Sequence, residues 1–112
     1  MKTERPWGWY DVIDQGSSYK VKSIQVEPDK SLSLQRHMHR SEHWVVVEGT
    51  ALVQVGDNKE FVNVNEGSYV PICAIHRLSN PGKIPLRIIE VQCGTYLEED
   101  DIERFDDEFG RT

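Results

Sequence analysis

Short runs of alternating apolar and polar residues, each closed by turn residues, constrain the fold of this chain most strongly. The run YKVKSIQV at 19–26 alternates as a half-buried strand does. Turn residues such as Gly56-Asp57-Asn58-Lys59 recur at close spacing. Further short strands are expected at 31–37, 43–48, 51–55, 60–64, 68–72, 76–79 and 85–92. Eight or nine such strands with almost no helix predict an all-β sandwich or small barrel, and a double-sheet jelly roll fits best.

The two ends of the chain are expected to depart from this pattern. The aromatic lead-in RPWGWY at 5–10 is predicted to be irregular, because its proline and glycine interrupt regular structure. Residues 99–107 are predicted to form a short C-terminal helix, with Ile102 and Phe105 facing the body of the domain.

Size and charge exclude several classes of protein. The chain has 112 residues, so residues 1–112 are expected to form one domain with a single core. The net charge of −6 comes from residues 98–108, which hold eight acids, and the nearly neutral remainder predicts no nucleic-acid partner. No apolar run approaches the ~20 residues that cross a bilayer. Cys73 and Cys93 form no CxxC motif and are expected to be reduced thiols in a cytoplasmic protein.

Three of the four histidines fall in one stretch, QRHMHRSEHW, at 35–44. Imidazoles crowded beside a carboxylate are typical of a metal site. Gln35 and His37 should face the same way, because residues two apart on a strand share a face. Glu42 opens the next strand and His76 comes from a distant one. Two histidines and a carboxylate are ordinary ligands for Zn²⁺, Mn²⁺, Fe²⁺ or Ni²⁺, and Gln35 would add a neutral oxygen.

These residues resemble the two motifs of the cupin superfamily. The stretch 35–49 resembles the first motif, in which Glu42 is followed after six residues by Gly49. The stretch 67–80 resembles the second motif, with Pro71, His76 and Asn80 in their usual places and Ala74 where a glycine is usual.

The motif register selects the metal ligands that the resemblance implies. Counting back from Glu42 gives the second histidine position to His37 and the first to Gln35. The rival register, with His37 and His39 as the pair, leaves too few residues before Glu42. The resemblance therefore implies a cupin barrel, a double-stranded β-helix, with one divalent ion. The ion is expected to be zinc first, then Mn, Co, Ni or Fe, held by Gln35, His37, Glu42 and His76.

A closer resemblance covers nearly the whole chain. The segments RPWGWYD, SLQRHMHRSEHWVVVEGTA, PICAIHRLSNPG and IEVQCGTYLEEDDIERFDDEFGR are similar to the C-terminal domain of type II phosphomannose isomerases. Those proteins usually also carry a mannose-1-phosphate guanylyltransferase domain, which implies a context of GDP-mannose biosynthesis. The resemblance implies a metal-dependent mannose-6-phosphate isomerase that interconverts mannose 6-phosphate and fructose 6-phosphate through a cis-enediol. It also implies a homodimer, because cupin domains commonly pair.

Several further residues are expected to act on a phosphosugar substrate. The base that moves the proton is expected to be His39, which shares the His37 face if the strand persists, or Glu90 on the last strand. Arg40 and Arg77 are the expected phosphate contacts, because a guanidinium group pairs with phosphate through two hydrogen bonds. Gln92 shares the face of Glu90 and is expected to contact the substrate.

Two other hypotheses stay open. The chain could be a non-catalytic module that binds a phosphosugar, or the partner of a separate guanylyltransferase. It could also carry another cupin chemistry such as Fe²⁺-dependent oxygenation, which Gln35 disfavours because oxygenase cupins more often present a full set of histidines. His43 should point away from Glu42 and is expected to be structural.

Overall fold

The computed structural model describes residues 1–107 and 109–110, and every regular element in this part of the chain is a β-strand. The strands are β1 (Lys2–Arg5), β2 (Gly8–Gln15), β3 (Tyr19–Val26), β4 (Leu34–Arg36), β5 (Arg40–Glu48), β6 (Ala51–Val55), β7 (Asn58–Val62), β8 (Gly67–Val70), β9 (His76–Ser79), β10 (Leu86–Gly94) and β11 (Glu103–Asp106). Within the described residues no helix is long and apolar enough to span a membrane.

The strands form two antiparallel sheets with a shared core. The six-stranded sheet has the order β1-β2-β3-β10-β5-β8, and the five-stranded sheet has the order β11-β4-β9-β6-β7. Alternate residues of each strand point inward, as the period of two requires. The buried apolar residues of both sheets form one cluster: Trp7, Ile24, Val26, Trp44, Val46, Ala51, Val53, Val62, Val70, Leu78, Leu86 and Ile88. The predicted all-β jelly roll is confirmed.

Most predicted strands are present with small shifts of their ends. β3, β6 and β9 have the predicted bounds, and the hairpin between β6 and β7 turns at Gly56, whose φ of 61° suits glycine. β4 is shorter than the run predicted at 31–37, because within that run only residues 34–36 pair with β11, and among them only Gln35 also pairs with β9. Residues 38 and 39 therefore lie in a bend rather than in a strand.

The amino-terminal lead-in is a hairpin, and its predicted irregularity is wrong. β1 and β2 pair with the register Arg5↔Gly8, so Pro6 and Trp7 form the turn and need no ladder hydrogen bond there. Gly8 approaches β3 so closely that a Cβ atom at this position would collide with the backbone carbonyl of Gln25. Trp7 is buried in the core. The turn residues thus connect two strands instead of ending regular structure.

The predicted C-terminal helix is absent, and β11 occupies part of its place. β11 pairs with β4 at the edge of the five-stranded sheet. Pairing places Glu103 at 2.8 Å from Arg36 and Asp106 at 3.1 Å from Arg77. A helix would instead stack like charges three and four residues apart, which is destabilising. Of the two residues predicted to face the body, Ile102 lines the pocket described below and Phe105 is exposed.

Two cross-strand pairs position the site residues in opposite sheets. Gln35 of β4 is paired with His76 of β9 in the five-stranded sheet. Glu42 of β5 is paired with Gln92 of β10 in the six-stranded sheet. All four side chains are buried. The polar side chains of the two sheets therefore meet at one end of the core.

Candidate metal centre and ligand pocket

Three buried side chains from distant segments of the chain converge between the sheets. His37 directly follows β4, Glu42 lies in β5 and His76 begins β9. Each of them offers one ligand atom, and these atoms all lie within 4.8 Å of one another. Gln35, the cross-strand partner of His76, lines the pocket beside this cluster. The structure brings the four predicted ligands together, and their binding of a metal stays a prediction.

Both imidazoles are held in the tautomer that a metal ligand needs. The Nδ1 atom of His37 lies 2.6 Å from the carbonyl oxygen of Asp101, and that of His76 lies 2.9 Å from the carbonyl oxygen of Ala74. A carbonyl only accepts, so each Nδ1 carries the proton and each Nε2 keeps a lone pair directed at the cluster. Burial, aided by Arg40, lowers the pKa of His37 to about 4, and burial lowers that of His76.

Arg40 lies inside the same cluster. Its Nε donates a hydrogen bond to Glu42 Oε2 at 2.9 Å, and its Nη2 donates to His37 Nε2 at 3.2 Å. Only 6% of this residue is exposed. Burial opposes the charged form, but the carboxylates of Glu42, Glu90 and Glu99 outweigh it and raise the Arg40 pKa. The guanidinium group is therefore charged at any physiological pH.

A second carboxyl group lies beside Glu42. The indole N–H of Trp44 donates to Glu42 Oε1 at 3.0 Å and lies 3.2 Å from Glu90 Oε1. Gln92 donates to the other Glu90 oxygen at 3.0 Å. Burial and the neighbouring Glu42 charge raise the Glu90 pKa to about 8. Both effects favour the protonated form of Glu90 over its carboxylate.

The donor set fits a divalent transition-metal ion. Two neutral imidazole nitrogens and a carboxylate are the ligands that Zn²⁺ and its neighbours prefer. His76 Nε2 is buried and has no hydrogen-bond partner among the described residues, which marks a lone pair with room for a ligand. These residues can therefore hold a metal ion, although Arg40 now contacts two of the three.

The pocket above the cluster is rich in cationic groups. Its lining includes the side chains of Arg5, Lys22, Arg40 and Arg104. Lys22, which is 3% exposed, donates to Glu99 at 2.8 Å and lies 4.1 Å from the centre of the Tyr10 ring. Aromatic side chains line the same pocket beside these cations. Such a mixture suits a ligand with an anionic group and a carbon ring.

The other predicted site residues lie in different places. Glu90 lines the pocket, and Gln92 borders it only through its hydrogen bond to Glu90. His39 lies in the bend after β4, where its side chain is 56% exposed and packs edge-on against Tyr96. Arg77 points away from the pocket because it alternates with His76, and it binds the Leu32 carbonyl and Asp106.

His43 lies where the alternation predicts, opposite to Glu42. It is exposed on the outer face of the six-stranded sheet, and its ring packs against Tyr69 at 4.6 Å between ring centroids. This contact is consistent with a structural residue outside the pocket.

Lys22 and Asp101 are among the site residues that escape prediction from the sequence. Lys22 shares the inward face of β3 with Ile24 and Val26, and a lysine at a core position is a signal that could have identified it. Asp101 accepts hydrogen bonds from the backbone N–H groups of Met38 and His39 at 2.9 and 3.0 Å, and its carbonyl orients His37. No signal singles out Asp101, because it is one of eight acids in the tail.

Solved structures define the class of fold. The chain superposes on KdgF from Halomonas sp. with a TM-score of 0.79 at 11% identity, covering 89% of this chain and 91% of that one. It superposes on the cupin domain of Cnp3 from Schizosaccharomyces pombe with a TM-score of 0.74 at 13% identity, covering 77% and 64%. At such low identity the likeness concerns the fold alone. The fold is that of the cupins.

The family follows from the sequence comparisons. Residues 1–107 match the model of the family described as mannose-6-phosphate isomerase C-terminal, and the chain belongs to this family. It is 57% identical to the alginate biosynthesis protein AlgA of Pseudomonas putida over 112 residues, which is 100% of this chain and 23% of that protein. It is 56% identical to the mannose-1-phosphate guanylyltransferase of Escherichia coli over 107 residues, which is 96% of this chain and 22% of that protein.

These comparisons contradict the expectation that the chain by itself is a metal-dependent mannose-6-phosphate isomerase. The chain spans less than a quarter of the curated relatives, so an activity of those longer proteins does not transfer to it. The geometry gives a physical reason as well. Of the two bases expected to move the proton, His39 lies outside the pocket with its side chain 56% exposed. The binding-module hypothesis is the better supported one.

Proposed function

We propose that this chain is a phosphosugar-binding cupin module that works beside a mannose-1-phosphate guanylyltransferase and does not isomerise sugar phosphates itself. The observation that carries the proposal is the pocket between the sheets, where cationic side chains surround the polar side chains at its bottom. The Escherichia coli relative, by its name a mannose-1-phosphate guanylyltransferase, supports the choice of partner.

Each part of a phosphosugar has a matching group in the pocket. A phosphate forms charged hydrogen bonds with guanidinium groups, and Arg40 and Arg104 both line the pocket. Sugar hydroxyl groups both donate and accept, and they match Gln35 and Glu90. The indole of Trp7 provides an apolar wall for the ring. Gln92 would act through Glu90, and Arg77 is not part of this proposal.

A metal ion is the proposed cofactor. Gln35, His37, Glu42 and His76 would hold it, with zinc expected first and manganese, cobalt, nickel or iron as alternatives. When bound, the ion would supply an electrophile that fixes a sugar oxygen. The neutral imidazoles and the partnerless His76 nitrogen support this part of the proposal.

The setting of the protein is also a proposal. Cys73 and Cys93 are free and exposed, which supports a reducing compartment such as the cytoplasm. A homodimer stays a prediction.

Calorimetric titration tests the binding proposal. Mannose 6-phosphate and mannose 1-phosphate should bind with and without added Zn²⁺, whereas unphosphorylated mannose should bind at least about tenfold more weakly because it loses the charged hydrogen bonds. Arg104→Met should weaken sugar-phosphate binding by a similar factor. Arg77→Met, a matched change outside the pocket, should leave binding unchanged. Absence of sugar-phosphate binding would contradict the proposal.

An activity assay and a mixing experiment test the rest of the proposal. Fructose 6-phosphate should not form from mannose 6-phosphate with Zn²⁺, Mn²⁺, Co²⁺, Ni²⁺ or Fe²⁺ present. Turnover by the purified chain would show that it is an enzyme in its own right. A mannose-1-phosphate guanylyltransferase lacking its own cupin region should bind the chain in a sedimentation experiment. A mixture that sediments as two separate species would remove the partner from the proposal.

A further inference from the structure

The guanidinium group of Arg40 uses the lone pairs that a metal ion would need. Its hydrogen bonds engage Glu42 Oε2 at 2.9 Å and His37 Nε2 at 3.2 Å. His37 Nε2 has a single lone pair, because its Nδ1 proton is committed to the Asp101 carbonyl. That lone pair can accept a hydrogen bond or ligate a metal ion, but it cannot do both.

We propose that Arg40 is an internal cation that competes with a divalent metal ion, so that the pocket holds either the inward guanidinium group or the metal. Electrostatic repulsion, like the shared lone pair, keeps the guanidinium group and the metal ion from occupying the pocket together. A monovalent and a divalent cation a few ångströms apart repel strongly in a buried site, where little water screens them. Arg40 therefore sets the affinity of the pocket for metal.

The structure provides a place for the displaced guanidinium group. Arg40 Nη1 has no hydrogen-bond partner among the described residues, and it lies 3.9 Å from Glu99 Oε2. The Glu99 side chain is 43% exposed, so it lies at the mouth of the pocket. A guanidinium group that leaves Glu42 can move outward to this carboxylate and keep a charged partner. This exchange goes beyond sugar-phosphate binding and does not depend on it.

Competition with a coloured zinc chelator tests the proposal. Arg40→Met keeps the unbranched stem of the side chain and removes the charged guanidinium group, so its zinc affinity should exceed that of the unchanged chain by at least about tenfold. Arg36→Met is the matched control, since Arg36 pairs with Glu103 outside the pocket, and its affinity should stay the same. Adding His76→Ala in each background should abolish the tight binding, which identifies the site. Equal or weaker zinc binding by Arg40→Met would overturn the proposal.

The folding of Arg40→Met is followed in the same samples. Loss of the guanidinium group leaves the Glu42 charge without its partner in a buried site, so thermal stability without metal should fall. Zinc should restore it, and the rise in melting temperature should be larger than for the unchanged chain. A variant that folds only with zinc supports the proposal. A variant that folds but gains no more from zinc than the unchanged chain contradicts it.

The unchanged chain offers an independent test that needs no variant at Arg40. The Arg40 Nε–H proton is buried and bonded to Glu42, so its NMR signal should be protected from exchange without metal. Saturation with Zn²⁺ should shift this signal and speed its exchange. The Arg77 Nε–H, bonded to the Leu32 carbonyl, is the internal reference and should not change. Zinc that binds His37 and His76 while the Arg40 signal stays unmoved would refute the competition, as would the absence of any zinc binding.

Discussion

Asp101 is a single residue of the acidic tail that organises the candidate metal centre from outside the pocket. Its carboxylate accepts two backbone N–H groups of the bend after β4, and its carbonyl oxygen orients His37. These hydrogen bonds lower the pKa of Asp101 in spite of its burial. The Asp101 side chain thus holds the bend at residues 38 and 39. His37 and Arg40 lie on either side of this bend, and both are buried.

Asp101→Ala should destabilise the protein by about 1–3 kcal/mol, because two part-buried backbone donors lose their acceptor. Urea unfolding at neutral pH measures the change. Asp100→Ala is the control one residue away, since Asp100 binds only the exposed Tyr96 hydroxyl and its loss should cost less than about 0.5 kcal/mol. Equal effects of the two changes would show that Asp101 does not hold the bend.

The pair formed by Glu99 and Lys22 should make stability depend on pH in the acid range. Burial opposes ionisation of Glu99, but Lys22 and Arg40 outweigh it and lower the Glu99 pKa below its ordinary 4.5. The folded chain then binds fewer protons than the unfolded chain near that pH. This contribution is therefore present above about pH 4.5 and is lost as the pH falls through the folded pKa.

Glu99→Gln should reduce the loss of melting temperature between neutral pH and acid pH. Thermal unfolding recorded across this range measures the effect. Glu98 is an exposed neighbour, and Glu98→Gln changes the net charge equally. This control should leave the dependence of melting temperature on pH unchanged. If both variants lose melting temperature with falling pH as steeply as the unchanged chain does, the Lys22–Glu99 pair does not contribute to the pH dependence of stability.

At the scale of single residues, the sequence predicts part of the site. The motif spacing brings together Gln35, His37, Glu42 and His76, because side chains two apart on strands share a face. It places Arg40 at the pocket but cannot predict that its guanidinium group contacts Glu42 and His37, since a bend follows β4 and the alternation is interrupted there. The exposure of His39 has the same cause.

Among the elements, the amino-terminal hairpin shows how local signals and tertiary context can disagree. Proline and glycine at 6 and 8 suggest an irregular segment, yet both lie at a turn between two strands that extend the six-stranded sheet. The interior strands β3, β6 and β9 follow their alternation because burial of one face fixes their register. Edge elements such as β1 and β11 lack that constraint, and pairing decides their structure, for β1 with the adjacent β2 and for β11 with the distant β4.

Gly8→Ala tests the close approach of this hairpin to β3. The added methyl group would collide with the Gln25 carbonyl oxygen, so the change should destabilise the protein by about 1–3 kcal/mol. Gly82→Ala is the control, because its methyl group would meet only the Asn80 side chain at 3.4 Å, and its effect should be smaller. Urea unfolding distinguishes the two. An unchanged free energy of unfolding for Gly8→Ala would mean that the hairpin is loosely held.

At the scale of the whole molecule, one sheet face exposes a cluster of apolar side chains to solvent. Val45 and Val47 of β5 and Tyr69 of β8 are 42%, 41% and 51% exposed on the outer side of the six-stranded sheet. Ile89 and Val91 of β10 continue this face beside β5. A cluster of apolar side chains on an exposed face is typical of an interface.

Val45→Glu should therefore raise the dissociation constant of the predicted homodimer by at least about tenfold, or ~1.4 kcal/mol, because it places a charge in the contact. Sedimentation equilibrium of the purified chain measures it. Phe61→Glu is the control on the other sheet, where an exposed aromatic residue lies on β7, and it should leave the dimer intact. A chain that is monomeric before any substitution would rule the homodimer out.

The central position of β10 imposes an order of assembly on the protein. This strand lies between β3 and β5, so Val26 must meet Leu86, sixty positions further along the chain, before the sheet can close. Such distant pairings are slow to form. Both sheets are therefore incomplete until the segment from β10 to β11 has been synthesised, and neither the buried carboxyl pair nor the bend closed by Asp101 exists before then.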